Sequence, residues 1–221
     1  MAIVAGVAAK KPARRSPSPQ ERQRCAERTR RRLLDVARDE FAEFGYAGAR
    51  VGRIADRAEV NKQLISYYFG GKEGLYQEMQ RERLREESES TTLDVPVEQM
   101  MRWYLESALK DPRAVRLSLW QGLADDAPDV DGGADVALEQ DRLRQRQERG
   151  ELAADLDTAA LQLAWMGMVI APVAMPRLVE KLFGVGSDDT EFARRYGDML
   201  SRILQRLAPP AQSRSKESDG S

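Results

Sequence analysis

The chain has 221 residues and a mass of 24.9 kDa, room for one large domain or a small one joined to a medium one. Residues 1–72 carry 16 Lys and Arg against 8 Asp and Glu, while the other 149 residues carry 19 against 28, so a formal net charge of −1 hides a basic third beside an acidic remainder. That asymmetry suggests a nucleic-acid-binding head on a body that avoids nucleic acid. The complete lack of histidine excludes Ser–His–Asp and Cys–His catalysis, HExxH metalloproteases and Cys₂His₂ fingers. A single cysteine, Cys25, excludes an internal disulfide and a thiolate cluster and fits a reducing compartment. No cofactor or metal is implied, and carboxylate-only or lysine-based chemistry is all that composition leaves to an enzyme.

Residues 1–19 hold Lys10, Lys11, Arg14 and Arg15 among three prolines without periodicity, and read as a flexible basic tail. Their cations follow the apolar start, the reverse of a secretory signal. A first helix is expected over about 21–44, with Leu33, Leu34, Ala37, Phe41 and Phe44 on one face and Gly45 as its left-handed stop. Tyr46, just beyond, reads as a core residue stapling the first helix to the third. A short helix follows at about 51–58, then a turn at Glu59 and Val60, then a second short helix from Asn61, a good N-cap, to Phe69. Gly70 and Gly71 break it, and Lys72 opens a helix reaching about Ser90.

Two short helices joined by a tight turn and braced by a longer one have helix-turn-helix geometry. The second presents Lys62, Gln63, Ser66 and Tyr67, with Leu64 and Ile65 between them, of which one or both must pack inward. Glutamine suits adenine, lysine suits guanine or phosphate, and apolar or aromatic groups suit the thymine methyl. A solvated polar face explains Lys62 and Gln63 equally well, and it remains open for Arg50 and Arg53 as alternatives to phosphate contact.

The stretch from Arg30 to Leu75 resembles the DNA-binding domain of TetR-type transcriptional regulators. The matching residues are Phe41-Ala42-Glu43-Phe44-Gly45-Tyr46, Ile54-Ala55, Ala58 with Val60, and Tyr67-Tyr68-Phe69-Gly70-Gly71-Lys72-Glu73-Gly74-Leu75. The resemblance implies a homodimer on a palindromic double-stranded operator, with the helix at 61–68 in the major groove. It also implies that one of Tyr67 and Tyr68 reaches the DNA, and that Lys72 holds a phosphate beside a helix N-terminus. Ala49 and Arg50 stand where the family has Thr or Ser, so Arg50 or Arg53 is the candidate replacement. The recognition helix departs from the commoner pattern, so no operator sequence carries over. The DNA-binding candidates are therefore Arg50, Arg53, Lys62, Gln63, Leu64, Ser66, Tyr67, Tyr68 and Lys72.

Beyond residue 72 the reading is of six helices, at 72–90, 96–110, 112–123, 134–149, 157–183 and 188–207, broken at Pro96, Pro112 and the stretch 128–133. The fold class is thus all-α: a helix-turn-helix domain over 20–72, a larger helical dimerisation and effector-binding domain over 73–208, and a second polar tail from 209. The helix at 157–183 is apolar nearly all round and must be covered on every side. With the last helix it is the expected dimer interface, through Ala164, Met168, Ala171, Phe192, Tyr196, Met199, Leu200 and Ile203. The alternative is that these residues form only the chain's own core.

Met100, Trp103, Tyr104, Trp120, Trp165 and Met168 are candidates for an adaptable ligand pocket or for plain core. The resemblance would put that pocket between the helices at 96–123 and 157–175. With few charges there, a hydrophobic small-molecule effector is favoured. The longest apolar stretch, 161–175, is shorter than the ~20 residues a membrane span needs, so a soluble, cytoplasmic protein is expected. The overall expectation is a dimeric repressor released from its operator by a ligand. The alternatives are a ligand-independent DNA binder and, from another class, a small all-α enzyme.

Overall fold

The computed structural model describes residues 18–124, 127–128, 130 and 133–209, and contains ten helices among them. The basic tail before Ser18, the polar tail beyond 209 and three positions of the 128–133 break lie outside the described residues. Helix α1 (Pro19–Gly48) begins earlier than its apolar stripe suggests, because Ser18 and Glu21 form a reciprocal cap. The Ser18 Oγ accepts from the Glu21 N–H at 3.2 Å, and Glu21 accepts from the Ser18 N–H at 2.7 Å. Gly45 interrupts α1 with φ 67° and ψ −179°, and one further turn follows it. A Cβ there would also meet the Trp120 ring at 3.0 Å, so both the backbone and the packing require glycine.

Helices α2 (Val51–Arg57), α3 (Gln63–Phe69) and the start of α4 (Lys72–Ser90) pack on α1. Their core comprises Leu33, Leu34, Ala37 and Phe41 of α1, Ile54 and Ala55 of α2, Ile65 of α3, and Leu75, Tyr76 and Met79 of α4. Tyr46 stacks on Phe41 and meets Tyr76 edge-on, with ring centres 6.1 and 5.0 Å away. It therefore staples α1 to α4 rather than to the third helix.

The body contains α5 (Val97–Lys110), α6 (Arg113–Ala124), α7 (Ala134–Glu148), α8 (Thr158–Ala174), α9 (Pro176–Phe183) and α10 (Thr190–Leu207). The single helix expected over 157–183 is two helices bent by 87°. Pro176 offers no N–H to continue α8 and disfavours helical backbone at Met175, so it opens α9 as that helix's first residue. Among the described residues no single helix is long and apolar enough to cross a membrane. Val97, Met100, Met101 and Leu105 of α5 join Leu143, Leu161, Trp165, Leu200 and Leu204 in the body core. Head and body share a boundary: Leu117 of α6 belongs to the head's core.

Candidate functional site

The reading head is set by α3. Asn61 supplies the N-cap, its Oδ1 accepting the Gln63 N–H at 2.8 Å, so the following helix starts at a fixed angle after the turn. Ile65 then points inward, 1% exposed, and Leu64 and Tyr68 pack half-buried against the same core. Lys62, Gln63, Ser66 and Tyr67 remain on the outer face, with Tyr67 79% exposed. The side chains of Lys62 and Arg50 form no ion pair among the described residues, whereas most arginines of α1 and α2 are paired.

Arg53 is differently placed. Its guanidinium forks onto Glu40, with Nε at 2.7 and 2.8 Å from the two carboxylate oxygens, and lies 4.0 Å from the centre of the Phe44 ring. The Arg50 N–H donates to the same carboxylate at 2.9 Å. Glu40 is fully buried. Burial by itself would raise its carboxyl, but the Arg53 hydrogen bond, the Arg50 N–H and the charges of Arg53 and Arg57 outweigh that effect and hold it below the ordinary glutamate value. Glu40 thus fixes the entry to α2, a role the sequence reading missed. The available signal was a carboxylate three residues after Ala37, inside the apolar stripe of α1.

Lys72 reaches back to the end of α1, its Nζ donating to the Ala47 carbonyl at 3.2 Å and lying 4.6 Å from the centre of the Tyr46 ring. Gly71 caps α4 without a side-chain hydrogen bond, so the first N–H groups of that helix lack a side-chain acceptor. Arg50, Lys62, Gln63, Ser66 and Tyr67 are exposed, while Lys72, Arg53, Leu64 and Tyr68 are tied into the head in varying degree.

In the body, Met100 and Trp165 are buried at 1% and 5% exposure, and Tyr104 and Met168 pack against the same cluster. Trp103 meets Tyr104 edge-on. Trp120 does not join them. It covers Gly45 at the α1–α6 junction and donates its Nε1–H to the Ala42 carbonyl at 3.3 Å. The Tyr104 hydroxyl donates to Glu87 at 2.9 Å, and burial together with the charges of Glu87 and Glu139 pushes that hydroxyl far up. The Trp165 Nε1–H is buried without a hydrogen-bond partner.

Of the expected interface residues, Phe192 and Leu200 are buried at 0% and 3% exposure within the chain. Tyr196 is half-buried, its hydroxyl donating to the Met168 carbonyl at 2.8 Å, and Ile203 and Ala171 are half-buried too. Ala164 and Met199 face outward, beside Leu163 and Met166, which the sequence reading did not single out.

A capped three-helix head with an exposed polar recognition face, joined to a helical body, defines a helix-turn-helix regulator. Residues 33–79 match the model for bacterial regulatory proteins of the tetR family. Over 186 residues the chain is 28% identical to the HTH-type transcriptional repressor SCO4008 of Streptomyces coelicolor, covering 82% of this chain and 95% of that protein. It is 42% identical to the HTH-type transcriptional regulator BetI 1 of Chromohalobacter salexigens over 55 residues, a quarter of each chain. The fold is shared with the SCO4942 protein of Streptomyces coelicolor, at 24% identity and a TM-score of 0.67 over 82% of this chain and 98% of the other. The chain is a TetR-type transcriptional regulator and not an enzyme.

Proposed function

We propose that the chain acts as a homodimer that represses transcription by covering a palindromic operator, and that a hydrophobic small molecule in the body releases it. The outer face of α3 carries this reading: Gln63, Ser66 and Tyr67 stand exposed beside the unpaired cations of Lys62 and Arg50. Phosphate contact by such cations supplies salt-sensitive affinity, and the groups on α3 supply discrimination between bases. Two copies are needed to place two recognition helices about one DNA turn (~34 Å) apart. The outward Leu163, Met166 and Met199 of α8 and α10 offer an apolar face for that two-fold contact. The repressor role is supported by the likeness to SCO4008.

Selection from a randomised duplex library, followed by salt titration, tests the reading. A palindromic motif with a steep salt slope is expected. Tyr67→Ala should weaken specific binding by about tenfold or more, at roughly 1–3 kcal/mol per base contact, without changing stability. Lys62→Ala should weaken all sequences alike if it meets phosphate and one base position if it meets a base. Met199→Glu should shift the chain to monomer in sedimentation. Weak binding with no enriched motif would defeat the proposal.

The buried state of Met100 and Trp165 favours a second reading, a DNA binder whose body only dimerises. Operator affinity unchanged across a panel of small hydrophobic compounds would select it over the ligand-released repressor.

A further inference from the structure

We propose that a cavity between α1, α4 and α6 is a binding site for a short-chain carboxylate, separate from the aromatic cluster of the body. The cavity has a volume of about 80 Å³ and is walled by Arg38 of α1, Gln80 and Arg83 of α4, and Asp111 and Arg113 at the start of α6. That is room for several water molecules or for a solute of a few non-hydrogen atoms.

Gln80 points to a ligand. It is 4% exposed, it lines the cavity, and its carboxamide makes no hydrogen bond among the described residues. A buried carboxamide left without partners is costly, and it can both donate and accept. The guanidinium groups beside it are also incompletely used. Arg38 gives one N–H to Glu82 at 3.0 Å, and Arg83 gives one to Glu87 at 2.6 Å, which leaves most of their donors free. Arg113 is spent on Asp111 and Asp39 and acts as a fixed wall.

Surplus donors on planar guanidinium groups call for a carboxylate. Glu82, Glu86, Glu87 and Asp111 already balance the arginine charges, so a monoanion is accommodated and a phosphate dianion is not. Glu86 is the loose member, 4.0 Å from Arg38 with 65% of its side chain exposed, and yields its place to the incoming group. The floor is apolar, made by Met79, Ala114 and Leu117, and takes a short alkyl tail. A carboxylate bound there touches the head through Arg38 and the body through the α6 floor.

The test titrates sodium propionate and butyrate into the isotopically labelled full chain at constant ionic strength, without DNA. The Gln80 side-chain amide resonances should shift and saturate, with Kd in the millimolar range or tighter. Gln80→Met and, independently, Arg83→Met should each weaken binding at least tenfold while thermal unfolding confirms the fold, and propionamide should bind at least tenfold more weakly than propionate. Trp103→Ala should leave the affinity unchanged. A non-saturating drift, equal affinity in Gln80→Met, equal affinity for propionamide, or a loss that follows Trp103→Ala instead would each overturn the proposal. Because no operator is used, failure here is separate from failure of the repressor reading.

Discussion

The head and the body solve the same problem, burying polar groups in a helical core, with different completeness. In the head the one fully buried carboxylate, Glu40, is met by the Arg53 guanidinium and the Arg50 N–H, and the end of α1 is closed over by Tyr46 and Lys72. In the body Trp165 keeps an unmet N–H, Glu139 is raised above the usual carboxylate range chiefly by burial, and an apolar strip on α8 faces outward. A surface that must present one fixed shape to a duplex benefits from a fully satisfied frame. A region that must accept a second molecule keeps groups for that molecule to satisfy.

The difference is best broken at Gly74. A Cβ there would lie 1.8 Å from the Phe69 carbonyl oxygen, so Gly74→Ala must displace the turn between α3 and α4. We expect a loss of about 3 kcal/mol or more, read as faster amide exchange in α2 and α3 than in α5 and α10. Equal loosening of both regions would erase the distinction. Arg146 is the corresponding anchor of the body. It is 1% exposed, pairs with Glu151 at 2.5 Å and donates to the Val95 carbonyl at 2.8 Å. Arg146→Met should cost about 3 kcal/mol and loosen α7 while leaving α3 protected.

Glu40→Gln should cost about 2 kcal/mol and weaken the head alone. Because the native carboxyl sits below its ordinary value, its contribution is present above that value and lost as pH falls through the native one, so acid should open the head. Glu139 has the opposite sign. Its native carboxyl is raised, so the native state binds more protons there and its penalty eases as pH falls from neutral. Glu139→Gln should therefore stabilise the body at pH 7, with the gain shrinking in mild acid, as chemical denaturation at two pH values would show. The smallest effect is expected for Trp165→Phe, within about 1 kcal/mol, since removing an unpartnered donor offsets the lost ring area. A large loss would mean that the indole N–H is satisfied after all.

Much of the head is legible in the sequence because its determinants are local. The stripe from Leu33 to Phe44, the Asn61 cap and the paired glycines at 70 and 71 each act within one or two turns. Glu40 was overlooked because its partners lie 10 and 13 positions away across a helix junction. The break at Pro176 was legible in principle, yet the apolar run around it reads as continuous helix. Trp120 went to the wrong neighbourhood because a helical stripe shows which residues share a face and not which element covers it.

The sequence by itself determined the helices, the helix-turn-helix and the sign of charge on each half, since periodicity, caps and composition act along the chain. Only the tertiary structure decided that Arg53 is held by Glu40, that Ile65 is the inward member of its pair, and that α6 closes the head with Leu117 and Trp120. Those outcomes depend on which surfaces meet across long stretches of chain, where burial and charge pairing of distant groups outweigh any local preference.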